Sequence, residues 1–292
     1  MKPKFVQQLA TVWPIVLPIL AVLLTFAPAS ATAQTAKTAA PILDHLTRAR
    51  GLYNEGRYEA AIEAADMARS DGNSRDAALL ILGRAGLERF RYTADPADLT
   101  RAREALRSVD ASMLSERDRT DLLIGLGETL YFDEAYRAAA DLFESMLGPN
   151  VKLTPVARDQ VLDWWATAID RYVRVLPASE RAAAYDHLIA RMEDELRRDS
   201  SSAAAAYWLA AAAFARGNVE RAWNAALAGW VRALMTPDRG AALRPDLDRL
   251  VREAIIPERV RRLAAAGATE GDPAEATLLA EWEAFKEKWS NR

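Results

Sequence analysis

Apolar residues recur at intervals of three and four along most of the chain. Two examples are Leu79, Leu82, Leu87 and Phe90, and further on Leu122, Leu126, Leu130 and Tyr131. This spacing places apolar side chains on one face of an α-helix. No stretch alternates apolar and polar residues with turn residues at hairpin spacing, and Val, Ile and Thr are sparse beside alanine. The pattern predicts an all-α protein without strands.

Four dipeptides mark places where helices are expected to begin. Each puts a side chain that can cap a helix before a proline, whose fixed φ and missing N–H suit the first helical position. They are Asp95-Pro96, Thr154-Pro155, Thr236-Pro237 and Asp272-Pro273. Ser115 and Asp118 have a weaker form of the capping-box spacing. These residues predict the starts of five helices.

Three stretches of the chain match when they are set in register. They are ARGLYNEGRYEAAIEAADMA from Ala49, GETLYFDEAYRAAADLFESM from Gly127 and AAAAFARGNVERAWNAALAG from Ala210. Each begins with a small residue, has an aromatic residue four places on, and then a short polar break. The breaks lie around Gly56, Asp133-Glu134 and Gly217, and the segments after them carry Ala61, Ala139 and Ala222. We interpret the match as an internal repeat of two helices joined by a tight turn.

This repeat resembles the tetratricopeptide repeat (TPR), a helix-turn-helix unit with small residues where its helices cross. The first stretch fits best, through Ala49, Gly56, Tyr58, Ala61 and Ala68. Glu134 stands where the second turn glycine would be, Val219 replaces the third aromatic residue, and the closing proline of the family is missing throughout. The resemblance implies a TPR-like α-solenoid, which is a right-handed superhelical stack of antiparallel helix pairs.

The three stretches lie too far apart to be adjacent copies of a unit of roughly 34 residues. A degenerate copy is therefore expected in each gap, with second helices around Ala102 and Ala183. We assign residues 41–235 to the repeats and residues 236–292 to C-terminal capping helices. The last capping helix is expected to bury one face, formed by Leu278, Leu279, Trp282, Phe285 and Trp289. The charged residues expected mostly off this face are Glu281, Glu283, Lys286 and Lys288.

The N-terminal residues have the three parts of a secretory signal peptide. Lys2 and Lys4 precede an apolar run, and small residues follow with cleavage sites after Ala31 or Ala33. We assign residues 1–33 to the signal peptide and residues 34–40 to a flexible link. An uncleaved membrane anchor is the alternative, because the run approaches the length of a bilayer span.

The absence of cysteine excludes disulfides and the lipid-modified cysteine of an exported lipoprotein. We therefore expect a periplasmic or secreted chain without stable membrane insertion after cleavage. Cleavage removes two lysines and no acids, which takes the net charge from -3 to -5. This mildly acidic balance gives no reason to expect nucleic acid as a partner.

The chain has no pattern that predicts catalysis, a cofactor or a metal. The two histidines, His45 and His187, lie far apart without a metal-binding spacing, and no nucleophile elbow or phosphate-binding glycine loop is present. The run Glu193, Asp194 and Glu195 is on a helix, where adjacent side chains point in different directions. We expect a protein that is not an enzyme.

Aromatic residues are the better indication of a binding surface. They are Trp164, Trp165, Tyr172, Tyr207, Trp208, Trp223 and Trp230. Large rigid side chains with a polar tip are used in recognition surfaces, but they also fill cores between repeats, and both interpretations stay open. By the resemblance, the first helices would line an inner groove. The partner-binding residues expected there are Arg50, Tyr53, Glu128, Tyr131 and Tyr207, with Arg84 and Glu88 from the degenerate copies.

Two functions follow from these features. The first is an exported TPR-like scaffold that binds a protein or peptide partner in the bacterial cell envelope. The second is a helical accessory domain of a cell-wall or polysaccharide system that binds glycan through its aromatic residues. The arginine-rich stretch at 236–263 is interpreted either as a salt-bridged cap or as a partner-docking surface. The oligomeric state is not indicated by the sequence.

Overall fold

The computed structural model describes residues 42–149, 151–265 and 274–290. The α-helices in these ranges are α1 Ile42–Asn54, α2 Tyr58–Ala68, α3 Arg75–Thr93, α4 Pro96–Arg107, α5 Glu116–Phe132, α6 Tyr136–Met146, α7 Pro155–Val173, α8 Ala178–Arg198, α9 Ala203–Ala215, α10 Val219–Arg232, α11 Leu243–Leu250, α12 Ile256–Ala265 and α13 Ala274–Ser290. These ranges contain no strand, so the all-α prediction is confirmed there. The predicted signal peptide at 1–33 and link at 34–40 lie outside the described residues.

The three predicted turns share one backbone geometry. Gly56, Glu134 and Gly217 have positive φ angles of 73°, 60° and 86°. In each turn the next residue donates its N–H to a carbonyl five residues back, at 2.9 Å in all three cases. The left-handed residue itself donates to the carbonyl three residues back. This is the Schellman ending of a helix, which satisfies carbonyls that the last turn leaves free.

Two of these turns also hold the same pair of aromatic rings. Tyr53 and Tyr58 lie 5.7 Å apart with their planes tilted by 59°. Tyr131 and Tyr136, at the equivalent positions, lie 5.2 Å apart with an angle of 63°. The register read from the sequence therefore corresponds to a repeated local geometry.

The helix starts were predicted correctly at Asp95, Ser115 and Thr154. Each side chain accepts a hydrogen bond from a backbone N–H in the first turn of the helix that follows. The prediction for Thr236-Pro237 was wrong, because α11 begins at Leu243 and Thr236 ends the short 3-10 helix Ala233–Met235. Thr236 and Asp238 hold the turn that precedes α11: the Thr236 hydroxyl accepts from Gly240 N–H, and Asp238 accepts from the N–H groups of Gly240 and Ala242. Asp272-Pro273 lies outside the described residues.

The described residues form two compact units, divided between Leu142 and Phe143 within α6. In the N-terminal unit, helices α1 to α5 each pack on the next, and α3 also contacts α1 and α5. The core of this unit includes two separate clusters. The first consists of Ala49, Leu52, Ala61, Ala64, Ala65, Ala68, Ala78, Ile81 and Ala85. The second consists of Leu80, Leu87, Ala102, Leu106, Leu114 and Leu122. Each cluster is shared by consecutive segments of the chain.

Glycine lets α3 and α4 approach closely in the N-terminal unit. A Cβ atom at Gly83 would lie 2.4 Å from Leu106 Cγ, and one at Gly86 would lie 3.0 Å from Ala102 Cβ. Small residues therefore let α4, which contains Ala102, pack closely against α3.

The C-terminal unit contains α7 to α13 and the end of α6. Its helices also pack mainly on their neighbours in the chain, and α9 contacts α7, α8, α10 and α11. A cap from another helix fixes the start of α9. Asp159 on α7 accepts hydrogen bonds from the Ser202 hydroxyl and from Ala204 N–H. The predicted boundary at 235/236 falls inside this unit.

A π-helical turn, Val251–Ile255, joins α11 to α12. Pro257 follows this turn, and a proline inside an α-helix removes one hydrogen bond and clashes with the carbonyl four residues before it. The wider turn accommodates this break, so the chain continues as a helix through Pro257.

Helix α13 packs on α10 and α12. Trp282 is fully buried, and its ring contacts Trp223 and Trp230. Lys286, expected mostly off the buried face, lies on it instead, because its ammonium is 2.6 Å from Asp248 and 5.7 Å from the centre of the Trp230 ring. No described helix is both long enough and apolar enough to span a membrane.

We expect Gly56→Ala to destabilise the N-terminal unit by about 1–2 kcal/mol, because alanine is strained at a positive φ. A Cβ atom at Gly56 would have no closer neighbour than the Tyr58 hydroxyl, at 4.0 Å. The loss of stability would therefore come from backbone strain and not from a steric clash. Gly51→Ala is the matched control. It lies inside α1 with nothing within 4 Å of the added methyl group, and we expect it to stabilise by about 0.5–1 kcal/mol. Urea denaturation measures both changes, and equal effects would contradict the assigned turn.

Candidate functional site

Six of the seven predicted partner-binding residues lie on three neighbouring helices of the N-terminal unit. They are Arg50 and Tyr53 on α1, Arg84 and Glu88 on α3, and Glu128 and Tyr131 on α5. Helix α3 lies against both α1 and α5. Arg84 is therefore placed between the two other helices, and it joins their side chains into one group.

The guanidinium of Arg84 contacts three groups. Its Nη2 and Nε atoms donate to the Tyr53 hydroxyl at 3.2 and 3.4 Å. Its Nη1 atom donates to the backbone carbonyl of Asp121 at 3.4 Å and lies 3.5 Å from Glu128 Oε1. We call Tyr53, Arg84, Asp121 and Glu128 the Arg84 network.

A glycine on α5 makes room for the Arg84 side chain. A Cβ atom at Gly125 would lie only 3.0 Å from Arg84 Cδ. The aliphatic part of Arg84 therefore packs against the α5 backbone, and its charged end reaches Glu128 further along the same helix. Arg84 is 6% exposed and Glu128 is 0% exposed, so this ion pair lies in the interior.

Arg84 keeps its charge and Tyr53 keeps its hydroxyl proton at physiological pH. Burial alone lowers the pKa of Arg84, but Glu128 and Tyr53 outweigh burial and raise it above its ordinary value. Burial raises the pKa of Tyr53 well above that of a free tyrosine, although the nearby Arg84 charge opposes this shift. Arg84 thus stays cationic, and the hydroxyl of Tyr53 stays a hydrogen-bond donor.

Ion pairs and aromatic rings surround the network. Arg50 is exposed and donates to Asp118 at 3.0 Å. Glu88 is buried and accepts from Arg91 at 3.0 and 3.2 Å. Tyr92 is 59% exposed. It therefore brings an aromatic face to the surface beside the charged groups.

Tyr58 links Tyr92 to the Arg84 network. The Tyr92 ring stacks on Tyr58, which in turn contacts Tyr53. Burial, with further contributions from Glu88 and Tyr53, raises the pKa of Tyr58. The three tyrosines thus form a continuous series of rings from the network to an exposed side chain.

Tyr131 and Tyr207 do not take part in the Arg84 network. Tyr131 is half-buried and packs against Phe132 and Tyr136. Tyr207 belongs to the C-terminal unit, where it is 6% exposed and its ring meets Trp208 edge to face. Its hydroxyl is therefore not on an open groove surface.

Most of the aromatic residues considered for a binding surface fill the core. The buried ones are Trp164, Trp165, Tyr207, Trp208, Trp223 and Trp230, and each is 8% exposed or less. Tyr172 is half-buried. Of the two interpretations of these aromatics, the structure supports packing between helices.

The histidines and the acidic run have simple surroundings. His187 is exposed beside Glu144, with a distance of 3.4 Å between Nε2 and Oε1. Glu193, Asp194 and Glu195 each contact a different arginine, as expected for adjacent residues on a helix. No group of three or more His, Asp or Glu side chains is placed to hold a metal ion within the ranges that the structure describes.

Sequence reasoning did not select four residues that belong to this surface: Tyr92, Arg91, Asp118 and Asp121. Asp118 and Asp121 lie in the first two turns of α5, ahead of the residues that match the repeat. Tyr92 lies near the end of α3, in a degenerate copy without an aromatic position to compare. Only their helical spacing from Glu128 and Glu88 could have indicated them.

The chain matches no protein-family model, no curated protein and no solved structure. The functional proposal below therefore rests on the geometry of the chain's own residues.

We expect Arg84→Met to lower the free energy of unfolding by about 3–5 kcal/mol. The substitution removes the guanidinium that pairs with Glu128 and leaves the Glu128 carboxylate buried without a partner charge. The double variant Arg84→Met/Glu128→Leu should recover most of this loss. Arg137→Met, which breaks the exposed pair with Asp141, serves as control and should change stability by about 0–1 kcal/mol. Chemical denaturation of the wild type, of Arg84→Met and Glu128→Leu, and of the double variant gives the coupling, and additive single effects would contradict the pair.

We expect Asp121→Asn to stabilise the protein more at pH 7 than at pH 4. Burial raises the pKa of Asp121 above 3.8, although Arg84 and Arg117 oppose the shift. The stability contribution of the protonated carboxyl is complete below the unfolded pKa and is lost as pH rises through the folded pKa. Urea denaturation at several pH values, with exposed Asp66→Asn as control for net charge, tests the sign. If the stabilisation by Asp121→Asn becomes smaller as pH rises, the folded protein stabilises the carboxylate form of Asp121 and the prediction is wrong.

Proposed function

We propose that this protein is an exported helical-repeat scaffold that binds a protein or peptide partner in the cell envelope. The surface formed by α1, α3 and α5 of the N-terminal unit is the proposed binding site. The observation that carries the proposal is the Arg84 network, with its exposed extension to Arg50 and Tyr92. It brings side chains from three helices together with charges and hydroxyl groups that can recognise a polypeptide.

Repeated local geometry supports the scaffold part of the proposal. Three turns have the same left-handed residue and the same hydrogen bonds. The N-terminal unit has two successive core clusters, each formed by helices that are close in the chain. Packing of this kind is typical of repeat proteins, in which each unit contacts its neighbours. The right-handed TPR-like superhelix remains part of this proposal.

The mixed character of the surface supports a polypeptide partner. Arg50 supplies an exposed charge, and Tyr92 an exposed ring that is backed by Tyr58. Arginine and tyrosine are enriched among residues that dominate protein interfaces. The buried Arg84–Glu128 pair fixes the helices behind them, so that the exposed groups have defined positions.

The export part of the proposal rests on residues 1–33. A basic start, an apolar run and small residues before a cleavage site are the signature of a secretory signal. Glycan binding through the tryptophans has less support, since Trp164, Trp165 and Trp208 are at most 5% exposed and offer no open face for a sugar ring.

Photo-cross-linking in cells of the source organism tests the binding site. A photo-reactive phenylalanine at Arg50 or at Tyr92 should give a cross-linked product of discrete mass. The same residue at Met67 or Val175, which are exposed elsewhere, should not. Arg50→Glu combined with the probe at Tyr92 should lower the yield several-fold. Equal products from all four positions, or none from the first two, would refute this surface.

A further inference from the structure

The arginine-rich stretch at 236–263 contains one guanidinium whose surroundings differ from the others. Most arginines of this stretch pair with carboxylates. These are Arg249 with Asp246, Arg252 with Asp248 and Glu283, Arg259 with Glu220, and Arg261 and Arg262 with Glu258. Arg244 has a guanidinium that lies over the Trp230 ring, 5.1 Å from its centre. Its Nε and Nη2 atoms are shielded from solvent and have no acceptor among the described residues.

The two shielded nitrogens, Nε and Nη2, form one edge of the guanidinium group. The N–H bonds on this edge are parallel and match the two oxygens of a carboxylate. The same unit shows this match at Arg259, whose Nε and Nη2 each lie 3.1 Å from an oxygen of Glu220. Arg259 also lies over a tryptophan, Trp223, at 4.6 Å. Arg244 repeats this arrangement without the carboxylate.

Trp230 supplies a third N–H group without an acceptor in the described part of the chain. The Nε1 atom of Trp230 is also shielded and has no acceptor among the described residues, and Trp230 is 8% exposed. It belongs to the ring on which the Arg244 guanidinium lies. Leaving buried N–H groups without acceptors is unfavourable, so these donors favour an acceptor from outside the described residues.

The nearby carboxylates are already engaged. Asp248 accepts from Trp282 at 2.8 Å and from Lys286 at 2.6 Å. Burial alone would raise the pKa of Asp248, but these hydrogen bonds outweigh burial and hold the pKa below its ordinary value. Glu283 contacts Lys286 and Arg252. Asp248 and Glu283 thus pair with Arg252 and Lys286 and not with Arg244.

The backbone fixes Arg244 over the ring. Gly229, one residue before Trp230, lets α10 approach α11 so closely that a Cβ atom there would lie 3.0 Å from Leu247 Cδ1. Leu247 is three residues after Arg244 on α11 and is fully buried. The same contact therefore places Arg244 beside Trp230. Arg244 remains partly exposed, so the site lies at the surface of the unit.

We propose that Arg244 and Trp230 form a carboxylate-binding site in the C-terminal unit, which receives a side-chain or terminal carboxylate of a bound polypeptide. The Nε and Nη2 atoms of Arg244 donate to the two carboxylate oxygens, and Trp230 Nε1 donates to one of them. The site does not depend on the α1–α3–α5 surface, so either proposal can fail alone.

The indole N–H signals of the ¹⁵N-labelled protein provide the test, with the Trp230 signal assigned from its loss in Trp230→Phe. Sodium acetate at constant ionic strength should shift this signal saturably, with a midpoint in roughly the millimolar range for so small a ligand. Sodium chloride should not shift it. N-acetylglycine and N-acetylglutamate α-amide distinguish a terminal from a side-chain carboxylate, and whichever binds more tightly names the source.

The variants separate carboxylate binding from packing. Arg244→Gln should weaken acetate binding at least about tenfold, since it removes the charge and the paired donors. Arg244→Lys keeps the charge but not the two-donor edge and should also weaken it. Arg259→Gln is the matched control, because its edge already holds Glu220, and it should leave the titration unchanged. The other indole signals report whether each variant is folded.

Three results would overturn the proposal. They are the absence of a saturable shift with any carboxylate, saturation by sodium phosphate but not by acetate, and an acetate titration that survives in folded Arg244→Gln.

Discussion

The close approach of helix backbones through alanine and glycine is the constraint on which this structure depends. Helix axes can lie near each other only where the side chains between them are small. In the N-terminal unit, Ala61 and Ala65 are fully buried, and Gly83 faces Leu106 with no room for a methyl group. Short side chains at the contacts leave little apolar area per helix pair, so each pair depends on the next.

The same constraint explains how a charged side chain occupies the interior. Arg84 reaches Glu128 because Gly125 lets its aliphatic part lie along α5. A buried ion pair of this kind adds little net stability, since desolvation offsets the attraction between the charges. Its effect is on position, because α1, α3 and α5 are joined through one guanidinium. The exposed residues on these three helices are therefore held in fixed positions relative to one another.

Local features were predictable from the sequence, and depth of burial was not. The register of Gly56, Glu134 and Gly217 located three turns with one geometry, although Glu134 is not a glycine. Helical spacing could place Arg84 and Tyr207 on particular faces. It could not show that neighbouring helices bury both side chains, because burial depends on packing between segments distant in the chain. The predicted helix start at Thr236 was wrong for a related reason, because Thr236 and Asp238 hold a turn that precedes α11.

The division of the N-terminal core into two clusters has a consequence for the motions of this unit. The cluster around Ala61 and Ala65 involves α1, α2 and α3, whereas the cluster around Leu106 involves α3, α4 and α5. Opening the first cluster exposes few of the contacts that hold the second. We therefore expect amide hydrogens of α1 and α2 to exchange with solvent through a partial opening that leaves α4 and α5 protected. Helix α3, which contributes to both clusters, marks the limit between them.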